Sequence, residues 1–138
     1  MKYLIFLIFS FTFLACDGQK SSLKKNTLQE ATKSEQIFKE NIDVKEAKTL
    51  IGKSPAIILI DVRTPEEIVQ GKIGSAVEID YSSAEFKDKV IKLDKNKEYI
   101  VYCAAGGRSA KAVAIMKEMG FTKAHNLTPG FNGWSRAQ

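Results

Sequence analysis

One cysteine in this chain sits where it could act as a nucleophile. In the stretch Glu98–Tyr99–Ile100–Val101–Tyr102–Cys103–Ala104–Ala105–Gly106–Gly107–Arg108–Ser109, a short apolar run ends at Cys103. Four side chains of almost no bulk follow, then an arginine five positions after the cysteine, then a helical pattern. Ala104, Ala105, Gly106 and Gly107 leave the backbone free to curl. Gly106 and Gly107 each admit a backbone angle, or a closeness to sulfur, that a Cβ would forbid. The N–H groups of residues 104–108 are then expected to point inward, at the sulfur and at the start of the helix. Such a nest of donors favours an anion and should hold Cys103 as the reactive thiolate. The alternative is an inert buried cysteine before a Gly-rich turn, which explains neither the Ala-Ala-Gly-Gly run nor the position of Arg108.

The elements that must position this loop read as α/β. Tyr99–Tyr102 is a continuous apolar run, the pattern of a buried parallel strand. Ser109, Ala112, Val113, Met116 and Met119 share one side of a helix that Gly120 ends. Upstream, Asp43 and Glu46 form a capping-box pair for a helix whose Val44, Ala47 and Ile51 share a face before Gly52 ends it. Ala56–Ile60 is a second strand, and Thr64–Pro65–Glu66–Glu67 starts a short helix closed by Gly71. Ala76–Ile79 is a third strand. Ser82 and Glu85 cap a helix with Phe86, Val90 and Leu93 on one face, and Lys123–Leu127 is a last strand. Strands alternating with short helices imply a small parallel sheet with helices on both faces.

Ligands of such sheets bind beyond the carboxyl ends of the strands. Asp61 and Cys103 each follow a strand directly, so both are expected at one rim. Arg108 has two expected roles, binding an anionic leaving group or pairing with Asp61. Asp61 could instead hold backbone N–H groups. Arg63 and Glu67, four apart at a helix start, are expected to form an ion pair. His125, the sole histidine, is read as structural, and Phe121, Phe131 and Trp134 as aromatics that close the core.

At 138 residues there is room for one domain plus an extension. Lys2 is followed by Tyr3–Ala15, apolar apart from Ser10 and Thr12. This is shorter than the ~20 residues that span a bilayer and suits a signal-peptide core over residues 1–15. Ala15–Cys16 resembles a bacterial lipobox, in which Cys16 would carry lipid and become the mature N-terminus; plain signal cleavage nearby is the alternative. Either way the chain is expected to be exported. The lipobox reading makes it a periplasmic or cell-envelope lipoprotein held at the membrane. Cys103 is then the one remaining thiol, unpaired in a compartment that permits disulfides. Residues 17–36 are polar and read as a flexible tether, leaving residues 37–138 as the domain. The formal charge of +5 is dispersed. No basic block interleaves with aromatics, which argues against a nucleic-acid partner. Histidines and cysteines are too few for a metal ligand set.

Over about residues 37–138 the chain resembles a single-domain rhodanese. Ile60–Asp61–Val62–Arg63–Thr64–Pro65–Glu66–Glu67 is similar to that family's Asp-Val-Arg signature followed by Glu. Gly71–Lys72–Ile73–Gly74–Ser75–Ala76 is similar to its Gly-His-Ile-Pro-Gly-Ala stretch, keeping the first Gly, the Ile and the Ala. Val101–Tyr102–Cys103 through Gly106, Arg108 and Ser109 resembles its active-site loop. Leu127–Thr128–Pro129–Gly130 with Trp134 resembles its closing segment.

The resemblance implies a rhodanese-like α/β fold and a sulfurtransferase without a cofactor. Cys103 would take the outer sulfur of a donor, thiosulfate or a persulfide, and hold it as a persulfide. It would then release it to cyanide or a thiol. The cradle would be Ala104, Ala105, Gly106, Gly107 and Arg108, supported by Asp61, Arg63, Glu67 and Ser109. Ala104 stands where many thiosulfate-using members carry Arg, so Arg108 is the single cation of the loop. Cysteine phosphatases and arsenate reductases space the two residues as Cys-x5-Arg. The loop here is one residue shorter and fits a sulfur atom better than a phosphate. A rival function of another class is a persulfide carrier or anion-sensing module that serves a protein partner without turnover.

Overall fold

A computed structural model describes residues 38–138. The signal segment, Cys16 and the tether lie outside the described residues. The elements run β1 (Asn41–Ile42), α1 (Val44–Lys53), β2 (Ile58–Asp61), α2 (Pro65–Ile68), β3 (Val77–Glu78), α3 (Phe86–Val90), β4 (Tyr99–Tyr102), α4 (Gly107–Glu118), β5 (Ala124–Leu127) and α5 (Gly130–Arg136). The strands form one sheet in the order β1-β5-β4-β2-β3, with every neighbouring pair parallel. This is the α/β architecture expected from the alternation of strands and helices.

β4 lies at the centre, and all four of its residues are buried. Side chains alternate across a strand, which divides the core in two. Tyr99 and Val101 join Ile60 and Val62 under Phe86 and Val90 of α3 and Ala112, Val113 and Met116 of α4. Ile100 and Tyr102 join Ile42 and Leu127 on the other face, covered by Ala47, Leu50 and Ile51 of α1 and Phe131 and Trp134 of α5. Cys103 continues the alternation onto the α3/α4 face.

The Asp43–Glu46 capping box is formed, with the Glu46 N–H 2.8 Å from the Asp43 carboxylate and the Asp43 N–H 2.9 Å from that of Glu46. α1 does not stop at Gly52 but continues to Lys53, and the Ser54 N–H closes it on the Leu50 carbonyl at 3.0 Å. The start of α3 also differs from expectation. Ser82 donates its N–H to the Asp80 carboxylate at 2.8 Å, and the Ser83 hydroxyl takes the Glu85 N–H at 3.2 Å. The local bonds of Asp80 and Ser83 thus replace the Ser82–Glu85 box.

β1 and α5 had no counterpart in the sequence pattern. β1 is two residues long, and α5 contains Gly130, Asn132 and Gly133, all poor helix formers. α5 owes its shape to Phe131 and Trp134 packing on the sheet rather than to propensity.

Candidate active site

Cys103 leaves the carboxyl end of β4 with its side chain 2% exposed. The chain turns over Ala104 and Ala105 to Gly106, whose φ of 95° lies in the left-handed region, and α4 begins at Gly107. That turn aims the Gly106 N–H at the Cys103 Sγ, 3.1 Å away. Ser109, in the first turn of α4, places its hydroxyl 3.5 Å from the same sulfur. Burial pushes the thiol pKa up. The Ser109 hydroxyl and the backbone N–H groups of Ser109, Ala105 and Gly106 more than offset this, so the net shift is downward. The backbone donors at the sulfur therefore come from Ala105, Gly106 and Ser109 rather than from the whole run 104–108. Ala104 instead fixes the loop through its carbonyl, which accepts the Asn132 N–H at 3.0 Å.

The loop is clamped from behind by the β5–α5 connection. The Phe131 N–H donates to the Cys103 carbonyl at 2.8 Å. A Cβ on Gly106 would overlap the Thr128 carbonyl, with its carbon at 2.7 Å. A Cβ on Gly130 (φ 56°) would lie 2.6 Å from the Ala104 carbonyl oxygen. Gly107 differs from both: its φ is ordinary and a Cβ there meets nothing within 4 Å. The expectation that both loop glycines are required is corrected to Gly106 alone, because only Gly106 combines a positive φ with close approach of another backbone segment.

Three further residues shape the site without having been singled out for it: Asn126, Thr128 and Gly130. The Ser109 hydroxyl, buried, lies 2.7 Å from the Asn126 Oδ1, and the Asn126 side-chain amide donates to the Asn41 Oδ1 at 2.9 Å. A chain of polar side chains therefore runs from β1 to the cysteine. Thr128 and Gly130 were visible only as part of the closing motif. Nothing local in the sequence marks either as a neighbour of Cys103.

The charged residues pair differently from expectation. Asp61 and Cys103 do share the rim, but β2 and β4 pair with Asp61 opposite Tyr102. Asp61 therefore points to the α1/α5 face, away from Cys103 and Arg108. It is fully buried and bound by Arg63, whose Nη2 is 2.6 Å and Nε 3.0 Å from the two carboxylate oxygens; the Arg63 main-chain N–H also donates to Oδ1 at 3.0 Å, the backbone role expected of Asp61 as an alternative. Arg63 also donates to the carbonyls of Gly71 at 2.7 Å and Glu67 at 3.3 Å. Its guanidinium carbon lies 4.0 Å over the Phe131 ring.

The expected Arg63–Glu67 ion pair is thus replaced by Arg63–Asp61, and the Asp61–Arg108 alternative by Arg108–Glu67. The Arg108 guanidinium meets both Glu67 oxygens, at 2.7 and 2.6 Å. That contact, with the Thr64 N–H as a second donor, holds the Glu67 carboxyl at about 2 despite some desolvation.

His125 is remote from this rim. Its ring nitrogens lie 2.6 Å from the Lys39 carbonyl and 2.9 Å from the Glu98 carboxylate, tying the start of the domain to the sheet. Phe121 is buried, and Phe131 and Trp134 close the opposite face, in line with their reading as core aromatics. Among the described residues no group of three or more His, Cys, Asp or Glu side chains is placed to hold a metal ion. An open groove runs between α1 and α5, past Val44, Lys48, Pro129 and Arg136, and does not include Cys103.

The sequence model of the Rhodanese-like domain family matches residues 43–137. A putative sulfurtransferase of Bacillus subtilis, YtwF, is 37% identical over 87 residues, covering 63% of this chain and 82% of its own. The thiosulfate:glutathione sulfurtransferase of Saccharomyces cerevisiae is 30% identical over 108 residues, covering 69% of this chain and 77% of its own. The crystal structure of a rhodanese-like domain protein from Staphylococcus aureus superposes with a TM-score of 0.63 at 32% identity, covering 70% of this chain and 91% of that one.

Proposed function

This chain belongs to the rhodanese-like domain family, and on that premise we propose that it is a sulfurtransferase working through a persulfide on Cys103. The observation that carries this reading is the Cys103 sulfur, held 3.1 Å from the Gly106 N–H with its pKa lowered. A thiolate is the attacking species in sulfur exchange. The Cys103 thiolate attacks the outer sulfur of a donor, a new S–S bond forms, and the donor's old bond breaks with its electron pair leaving on sulfite or an organic thiolate. A thiol acceptor then attacks the outer sulfur of the Cys103 persulfide, and the electron pair of that bond returns to Cys103. One transfer becomes two displacements at sulfur. The loop amides that favour the thiolate also disperse charge on the persulfide. Ala105 and Gly107 are exposed beside the loop and carry too little side chain to block an approaching donor.

Exposure of the purified protein to a sulfane-sulfur donor is expected to add one sulfur atom to the Cys103 peptide, read by intact mass and digestion. A thiol should remove it over many cycles. An adduct on another residue, or one that survives Cys103→Ser, overturns the assignment. Loading once, with no release to any small thiol, is the result expected of a carrier instead.

We further infer that the domain is exported and lipid-anchored at Cys16, a reading supported by the apolar Tyr3–Ala15 run and the Ala15–Cys16 junction. A clickable fatty acid fed to cells is expected to label the full-length protein. Cys16→Ala should lose both label and membrane fractionation. Unchanged membrane association in the variant sinks the lipid anchor.

A further inference from the structure

Arg108 is the only cation between Cys103 and Ser109, so it is the group to which an anionic donor would turn. It is already engaged. Both of its terminal nitrogens are taken by both oxygens of Glu67, the bidentate geometry that makes such pairs strong and directional. The partner is also held in place. The Thr64 N–H donates to the Glu67 carboxylate at 3.1 Å, and the Glu67 carbonyl accepts from Arg63, which is locked to buried Asp61. Side chains of 30% and 34% exposure leave the pair at the surface, where an incoming donor meets both charges at once. The Arg108 pKa is raised first by its bond to Glu67 and then by the Cys103 sulfur, so Arg108 faces both groups. The Arg108–Glu67 pair therefore carries no net charge, with a fixed carboxylate next to the loop's one cation.

We propose that Glu67 is a specificity-determining residue: by occupying Arg108 it disfavours dianionic donors and directs the site to hydropersulfides bearing an uncharged or weakly charged organic group. This deepens the sulfurtransferase reading and rests on it. The two donor classes differ in what must be accommodated when the S–S bond breaks. Attack on thiosulfate forms the Cys103 S–S bond and expels sulfite, a dianion that needs a free cation. Attack on R–S–SH forms the same bond and expels R–S⁻, which needs less. A carboxylate paired to the loop's only cation penalises the first leaving group more than the second.

The test compares wild type, Glu67→Gln and Glu67→Gln/Arg108→Leu for the rate of Cys103 loading by thiosulfate and by 2-hydroxyethyl hydropersulfide. The glutamine amide oxygen can still accept the Thr64 N–H, so the start of α2 is retained while the charge is lost. Glu67→Gln is expected to raise the ratio of thiosulfate to hydropersulfide loading about tenfold, the scale of one charge-assisted contact. The added Arg108→Leu change should return that ratio toward the wild-type value. Using a ratio within each variant removes any difference in folded fraction. A ratio unmoved by Glu67→Gln, or one that rises equally in the double variant, overturns the proposal.

A second arm needs no sulfur transfer: protection of Cys103 from iodoacetamide by inorganic sulfate. Sulfate should protect Glu67→Gln at about tenfold lower concentration than wild type, and equal protection again overturns the role of Glu67. Failure of both donors to load wild type would refute the sulfurtransferase reading, and the sulfate arm would still decide whether Glu67 withholds Arg108.

Discussion

Gly106→Val is expected to remove most of the activity and to destabilise the domain by on the order of 3 kcal/mol. Two separate penalties add. The φ of 95° at Gly106 is a region that a β-branched residue scarcely enters, and the new Cβ would overlap the Thr128 carbonyl. The backbone can relieve the overlap only by swinging the loop away from β5. That movement also withdraws the Gly106 N–H from the Cys103 sulfur. The pH at which iodoacetamide alkylation reaches half its maximal rate should therefore move upward toward the ordinary thiol value. Because the native pKa is depressed, the wild-type protein keeps its thiolate, and its alkylation rate, to lower pH than the variant. Gly107→Ala is the matched control: open space and an ordinary backbone there predict unchanged alkylation and up to about 1 kcal/mol of added stability. Equal damage at both positions would mean that glycine content, not the close approach of Thr128, governs the loop.

Arg63→Met is expected to cost about 3–5 kcal/mol, because it leaves the Asp61 carboxylate fully buried without its cation. The Arg63 main-chain N–H, 3.0 Å from Oδ1, is a neutral donor and does not replace that cation. The loss extends beyond the pair. The same guanidinium ties the Glu67 and Gly71 carbonyls to the core and lies on Phe131 of α5. A fall in Tm of at least about 12 °C follows for a domain of this size. Asp61→Leu combined with Arg63→Met should recover part of it, since a buried pair replaced whole by apolar residues is far less costly than one broken in half. Arg63→Lys should not restore the wild-type Tm, because one ammonium cannot reach a bidentate carboxylate and two carbonyls together. A double variant no more stable than Arg63→Met would show that the stranded charge is not what destabilises it.

What the sequence determined by itself is the part of this protein written in short spans of chain. The apolar run Tyr99–Tyr102 forms β4 at those limits, and the four small residues after Cys103 lead into α4. Cys103, Gly106 and Ser109 lie within seven residues, so local backbone geometry was enough to suggest donors gathering at the sulfur. Strand–helix alternation was likewise enough for a parallel α/β sheet with Asp61 and Cys103 at one rim. The partners of the charges were decided elsewhere. Residues two apart on a strand share a face and neighbours do not, so the pairing of Asp61 opposite Tyr102 sends Asp61 and Cys103 to opposite sides of the sheet. That register is set by contacts between β2 and β4, about 40 residues apart in the chain, and no local pattern encodes it. It gives Asp61 to Arg63 and leaves Arg108 to Glu67 across the mouth of the loop. The difference between Gly106 and Gly107, and the need for glycine at 130, arise in the same way: each depends on how closely the Thr128–Asn132 segment approaches the loop. Local chemistry placed Cys103 and its backbone donors, and the long-range register of the sheet chose which charges pair around them.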